Sequence, residues 1–171
     1  DDHASFRELV LKLERRFGRC IAPFQLPIRE NEKFVGYVNV VKMAGRRFTN
    51  LSDYEECEIP DYSQKNLGIA RDALLEAVAE TSEEYMERYF SGEEFTLEEI
   101  QGALREHVID GSIVPVLMGS GANCQGFKTL LQVIDRYLPT PDKFECIGVD
   151  VSTGERFTAK YNDQVSLSAR V

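Results

Sequence analysis

The stretch of sequence most suggestive of chemistry is a loop of small residues at positions 119–126, which follows an unbroken apolar run at positions 113–118. The run is typical of a parallel strand covered on both faces, and the residues after Gly126 have helical spacing. Small residues at the carboxyl end of a parallel strand let a ligand approach backbone N–H groups, so the loop is a candidate binding site. A plain strand-to-helix connection is the alternative, because short loops of small residues are common there.

This loop lacks the patterns of a phosphate site or a catalytic site. A dinucleotide fingerprint beginning at Gly119 and Gly121 would require glycine where Cys124 stands, and no G-x-x-x-x-G-K-[ST] motif occurs in the chain. No nucleophile is set up, since Ser120 has no histidine near it in sequence and His107 falls at a helix end. The loop is therefore either a ligand contact or a plain connection, and its residues do not predict catalysis.

A stripe of acidic residues is the second candidate site. Residues 53–99 hold fifteen acidic and three basic side chains, whereas the rest of the chain has slightly more bases than acids. In a continuous helix, five glutamates would share an arc roughly 100° wide. They are Glu76, Glu80, Glu83, Glu84 and Glu87. The stripe is either a solvated face or a docking face for a basic partner. A capping box of Thr81 and Glu84 would break the helix and split the stripe.

The composition limits the classes of function that remain. The chain has 171 residues and a net charge of -9, which is the wrong sign for broad binding to phosphate backbones. No run approaches the roughly 18 apolar residues of a membrane span. Four cysteines without a C-x-x-C pair and only two histidines argue against a zinc site, so we expect free thiols in a reducing cytoplasm.

Mixed helices and strands are predicted to position these residues, in an α/β arrangement that is α+β as a whole. Ser5 and Glu8 form the capping box of a helix over residues 6–17, and Thr96 and Glu99 form that of another. Pro139 ends the helix that begins near Phe127. Strands are predicted over 21–28, 34–43 and 46–50, with Gly45 between the last two. Helical spacing then continues for about thirty residues after Pro60. Near the end of the chain we expect a hairpin of 144–151 with 156–161 and a strand over 165–171. Because no initiator Met opens the chain and the last strand needs a partner, we expect a piece of a longer protein.

Several long stretches match a known family in order along the chain. These are residues 24–28 (Phe-Gln-Leu-Pro-Ile), 34–41, 80–89, 92–99, 115–120 (Pro-Val-Leu-Met-Gly-Ser) and 137–141 (Tyr-Leu-Pro-Thr-Pro). Together they resemble the middle of bacterial elongation factor G, a ribosome-dependent GTPase of translation. The resemblance implies a partial P-loop GTPase sheet with an inserted antiparallel sheet and acidic helices, followed by the first strands of a β-barrel. It divides the chain into G-domain residues 1–28, a G′ insertion at 29–110, G-domain residues 111–141 and the start of the barrel at 142–171.

The same resemblance implies how the candidate residues act. Ser120, Gly121 and Ala122 correspond to the guanine loop, whose backbone amides contact the guanine oxygen. The P-loop, both switch regions and the Asn-Lys-x-Asp motif would lie upstream of Asp1. GTP and Mg²⁺ would therefore belong to the intact parent, and this piece would carry no catalytic or metal-binding residue and no tightly bound nucleotide.

The resemblance also implies partners, namely the ribosome and its stalk protein. In the family the G′ insertion contacts the stalk, whose mobile domain offers lysines, so Glu80, Glu83, Glu84 and Glu87 are candidate stalk-binding residues. The parent would promote tRNA–mRNA translocation. Two alternatives stay open: a ribosome-protection or recycling paralogue of the same family, and a stand-alone acidic adaptor that binds a basic protein without nucleotide.

Overall fold

The computed structural model contains both helices and strands. It describes residues 5–18, 20–31, 33–50, 53–140 and 146–159 but not the side chains of Cys146 and Ala159. The predicted α+β class is confirmed. The chain divides into two compact units, residues 1–138 and 139–171. None of the described helices is long and apolar enough to cross a membrane.

The described residues contain five helices and eight strands. The helices are α1 (Phe6–Phe17), α2 (Asp61–Ala79), α3 (Glu83–Ser91), α4 (Leu97–Asp110) and α5 (Phe127–Tyr137). The strands are β1 (Ile21–Pro23), β2 (Gln25–Glu30), β3 (Lys33–Asn39), β4 (Ala44–Phe48), β5 (Tyr54–Cys57), β6 (Val114–Val116), β7 (Cys146–Val149) and β8 (Arg156–Ala159). Thr96 and Glu99 form the predicted capping box of α4. Ser5 caps α1, since its hydroxyl accepts from the Glu8 N–H at 3.4 Å, but the structure has no reciprocal bond from the Glu8 side chain within the described residues.

The single strand predicted over residues 21–28 is in fact two strands in two sheets. β1 pairs in parallel with β6, whereas β2 starts an antiparallel sheet in the order β2-β3-β4-β5. Phe24 joins the two sheets, because its N–H donates to the Val116 carbonyl at 3.1 Å and its carbonyl accepts from the Val40 N–H at 3.0 Å. Its buried ring packs edge-on against Tyr137. One buried aromatic residue therefore connects the antiparallel sheet to the parallel pair.

The predicted hairpin between β3 and β4 exists, but Gly45 lies within β4 and not in the turn. The turn is at residues 40–43, and Gly45 pairs with Val38. A Cβ at Gly45 would lie 2.5 Å from the carbonyl oxygen of Cys57 on β5. The glycine is thus required by the close approach of β5, an edge strand whose weak alternation gave no signal in the sequence.

The helical region after Pro60 is broken, so the five-glutamate stripe does not lie on one helix. α2 ends at Ala79 and α3 begins at Glu83. Ser82 is the N-cap, since its Oγ accepts from the Tyr85 N–H at 3.1 Å. The predicted cap, Thr81, instead donates its hydroxyl to the Val78 carbonyl at 2.6 Å and so belongs to the end of α2. The break separates Glu76 from the glutamates of α3.

A buried core joins the antiparallel sheet to α2 and α4. Its fully or nearly fully buried members are Val38 from β3, Val40 in the turn after it, Leu67, Leu74 and Val78 from α2, and Ile100 and Leu104 from α4, among others. The apolar residues whose spacing predicted these helices therefore face the core, as in an amphipathic helix.

The parallel pair is more open than the sequence predicted. β6 is only three residues long, and Val114 is 42% exposed although the apolar run suggested burial on both faces. α5 likewise buries Thr129 and Tyr137 but exposes four large apolar side chains. These are Phe127, Leu130, Leu131 and Ile134. Within the described residues, this side of the first unit has an uncovered apolar surface.

The second unit contains the predicted hairpin. β7 and β8 pair antiparallel from Cys146↔Ala159 to Val149↔Arg156. The turn is closed by the N–H of Gly154, which donates to the Asp150 carbonyl at 2.7 Å. The strand predicted over residues 165–171 lies outside the described residues.

Candidate functional site

The loop between β6 and α5 is a closed turn held by its own backbone. Ser120 and Gln125 exchange two N–H···O bonds of 3.0 Å each, and the Asn123 N–H donates to the Ser120 hydroxyl at 3.3 Å. Residues 121–124 are exposed at the tip. The loop therefore has a conformation that its own hydrogen bonds hold.

Two glycines at the base of the loop make this closure possible. A Cβ on Gly119 would lie 2.7 Å from the Gln125 carbonyl oxygen. A Cβ on Gly126 would lie 2.7 Å from the Met118 carbonyl oxygen, and its φ of +86° favours glycine. Part of the glycine pattern is thus explained by the close packing of two backbone segments.

The three predicted nucleotide-binding residues lie together but do not offer equivalent amides. The Ser120 N–H is occupied by Gln125, whereas the N–H groups of Gly121 and Ala122 donate to no acceptor within the described part of the chain. Both of these residues are exposed. The loop therefore presents two adjacent free donors, which suit a carbonyl oxygen of a ligand.

A residue that sequence reasoning did not single out as functional anchors this loop from the other sheet. Gln25, at the start of β2, accepts the Met118 N–H through Oε1 at 2.7 Å. Gln25 is 1% exposed, so the bond is shielded from water. Its place in the Phe-Gln-Leu-Pro-Ile stretch was visible, but its partner, 93 residues away in sequence, was not.

His107 has a structural role at the end of α4. Its Nε2 lies 2.8 Å from the Ala77 carbonyl oxygen and its Nδ1 lies 2.7 Å from the Ser112 hydroxyl. These contacts join α2 to α4. His107, which the sequence placed at a helix end, therefore packs and bonds at the end of α4.

The four predicted docking glutamates are all exposed around α3. Glu83, Glu84 and Glu87 lie on the helix, and Glu80 is the C-cap residue of α2. None of them makes an ion pair with a cation in the described ranges. The charges of this group, which we call the α3 acidic face, are therefore available to a partner.

Two apolar side chains extend the α3 acidic face, and sequence reasoning missed them. Phe90 is 80% exposed and Met86 is 40% exposed. At about 100° per residue, Met86, Phe90, Glu83, Glu87 and Glu84 occupy one arc roughly 160° wide. The sequence shows that Met86 and Phe90 are four residues apart, but only the bounds and packing of α3 show that they share its exposed side.

Arg88 clamps the opposite side of α3 to α4. Its Nη1 lies 2.7 Å from a carboxylate oxygen of Glu99, and its Nε lies 3.1 Å from one of Glu93. Its guanidinium also lies over the rings of Tyr85 and Phe95, 5.5 and 5.0 Å from their centroids. The clamp leaves the acidic side of α3 outward.

We expect the acid stability of the chain to depend on Glu99. The hydrogen bond from Arg88, then that from the Thr96 N–H, lowers the pKa of Glu99 to about 2. A depressed folded-state pKa stabilises the protein above the unfolded pKa, so this contribution is lost as pH falls from about 5 towards 2. Glu99→Gln should flatten the fall in Tm over that range, measured by circular dichroism. Glu98→Gln on the same turn is the control, and equal pH dependence in the two variants would contradict the assignment.

Comparison with known proteins finds a similar fold, whereas no family model matches the chain. The fold is similar to that of a protein of Thermus thermophilus, known from a crystal structure, with a TM-score of 0.74 and 30% sequence identity. The match covers 92% of this chain but only 25% of the Thermus protein. The relative is therefore about four times longer than the part it shares with this chain.

Proposed function

We propose that this chain is the carboxyl part of the G domain, with its G′ insertion and the start of the barrel domain, of an elongation factor G-like GTPase. The parent is a cytoplasmic factor that hydrolyses GTP with Mg²⁺ on the ribosome and promotes tRNA–mRNA translocation. This segment contributes the guanine loop and a stalk-docking surface.

One observation carries this proposal: an exposed, closed loop follows a parallel strand and offers the free amides of Gly121 and Ala122. Two adjacent donors fit the exocyclic oxygen of guanine, which accepts hydrogen bonds and distinguishes it from adenine. Of the three residues that the resemblance implies, Gly121 and Ala122 keep the amide contact with guanine, because the Ser120 N–H is already bonded to Gln125. Ser120 then shapes the loop through its own bridge to Gln125.

The uncovered apolar surface supports the view that the site is completed by more protein. Phe127, Leu131 and Val114 are exposed beside a sheet of only two described strands. Apolar surface of this kind marks a protein contact. We propose that the rest of a P-loop GTPase domain covers it and holds the phosphates of the nucleotide.

The decisive experiment uses the complete gene product. Its GTP hydrolysis should rise when vacant 70S ribosomes are added, and translocation of a defined mRNA–tRNA complex should follow. Stimulated hydrolysis without translocation would favour the protection or recycling paralogue. A product that binds neither GTP nor ribosomes would refute the proposal and favour the stand-alone adaptor.

The 171-residue chain itself is expected to show no GTP turnover. It contains no G-x-x-x-x-G-K-[ST] motif, so nothing in it cradles the β- and γ-phosphates. Release of inorganic phosphate should match the rate in buffer, with and without ribosomes. Hydrolysis above that background, persisting after repurification, would show that this part of the proposal is wrong.

A further inference from the structure

A small cavity lies behind the guanine loop, where the two sheets of the first unit meet α5. Its volume is about 150 Å³. Its walls include Phe24 and Gln25, Arg46 of β4, and Leu117, Thr129 and Tyr137. The cavity is distinct from the exposed tip of the loop, and neither candidate site described above uses it.

Arg46 is a buried cation in this wall without a carboxylate partner. It is 6% exposed, and its guanidinium lies 4.2 Å from the centre of the Tyr54 ring. Its one hydrogen bond within the described residues is a long one, from Nη1 to the Tyr37 hydroxyl at 3.4 Å. Glu56, its cross-strand neighbour, is exposed and makes no ion pair with it. An unpaired buried charge is costly, so a counter-charge is expected.

Two buried polar atoms of the cavity wall lack a hydrogen-bond partner among the described residues, and both are donors. They are Nε of Arg46 and Nε2 of Gln25. The Oε1 of Gln25 already accepts the Met118 N–H, which fixes the amide so that Nε2 is the free end. Because both unsatisfied groups are donors, the missing partner must be an acceptor.

The charge around the cavity points to an anion. Lys42 and Arg136 also line it, against a single carboxylate, Asp135. This excess of positive charge occurs in a chain whose net charge is -9. A planar guanidinium with further donors beside it matches the oxygens of a carboxylate or a phosphate.

We propose that this cavity binds a small oxyanion, a carboxylate or a phosphate, held by the guanidinium of Arg46 and the side-chain amide of Gln25. The volume suits a ligand of a few heavy atoms, since a water occupies about 30 Å³ of liquid. The anion would neutralise Arg46 and brace the Gln25 bond to the base of the guanine loop. The alternative occupant is a group of about five waters, by the same volume per water.

The test follows the side-chain N–H signals of Arg46 and Gln25 by NMR in the ¹⁵N-labelled 171-residue chain. Inorganic phosphate and acetate are titrated separately at fixed ionic strength, with sodium chloride as the reference arm. A saturable shift of both signals with either oxyanion supports the proposal, and the arm that saturates identifies the source. Shifts no larger than those in chloride would overturn it in favour of water.

Two substitutions test whether the oxyanion binds in this cavity. Arg46→Gln should weaken the oxyanion at least about tenfold, because it removes a charge-assisted hydrogen bond. Lys42→Gln, at an exposed position on the rim, should weaken it about threefold and keeps the test decisive if the Arg46 variant does not fold. Lys65→Gln on the exposed face of α2 is the matched control. Affinity unchanged in Lys42→Gln and in any folded Arg46→Gln would overturn the assignment.

Discussion

Reversing Glu80, Glu84 and Glu87 to lysine is expected to weaken binding of the ribosomal stalk protein by about 10- to 100-fold at low salt. The change replaces three exposed carboxylates, which make no ion pair within the described ranges, with three cations facing the lysines that the proposed partner offers. Opposed like charges are repulsive and slow the encounter, so most of the loss should appear in the association rate. Surface plasmon resonance with purified stalk protein at several salt concentrations measures both rates.

The control for this experiment reverses three exposed glutamates from outside residues 80–91 of the sequence. Glu14, Glu106 and Glu155 meet that condition, so the net charge of the control variant equals that of the test variant. Equal losses in both would show that net charge, and not the α3 acidic face, governs binding. Unchanged affinity in the test variant would leave these glutamates as a solvated surface.

Phe90→Ala separates the apolar part of the same face from the charged part. An aromatic side chain that becomes buried in an interface acts mainly on dissociation. We therefore expect faster release of the stalk protein with little change in association rate. An unaltered dissociation rate would restrict the contact to its charges.

Leu104→Ala is expected to lower the free energy of unfolding by about 2–5 kcal/mol, because it deletes a fully buried side chain and leaves a cavity. Leu104 is 0% exposed in α4, within the core that joins α2, α4 and the antiparallel sheet. Urea unfolding followed by far-ultraviolet circular dichroism measures the change. Such a loss is a large fraction of the total stability of a domain this size.

Leu97→Ala is the matched control on the same helix. Leu97 is 39% exposed, so its removal deletes less buried surface and should cost well under half as much. Equal destabilisation by the two variants would contradict the arrangement of α4 against the sheet.

The features that the sequence predicted correctly are those decided by residues close together in the chain. The Ser5 cap and the Thr96–Glu99 capping box were predicted because a side chain and an amide three residues apart decide them. The break after α2 was one of two alternatives, and its cap was assigned to Thr81 and not to Ser82. Both residues suit a cap, and which hydroxyl turns back to α2 depends on packing that spacing does not encode.

Contacts between segments far apart in the sequence could not be predicted in the same way. Gly45 reads as a turn residue until β5 is found 2.5 Å from where its Cβ would be. The pairing of Gln25 with Met118, and the burial of Arg46 without a carboxylate, likewise depend on segments far apart in the chain.

The sequence by itself therefore determined the α+β class, most helix ends, the parallel character of β6, the acidic stretch and the small-residue loop. Each of these follows from periodicity, capping or charge within a short window of residues. The tertiary structure alone decided which loop amides are free, how Phe90 joins the α3 acidic face, and that Arg46 and Gln25, each with a buried donor that has no partner among the described residues, line one cavity. Those features arise when distant segments exclude water from one another, and no local pattern records which groups that leaves without a partner.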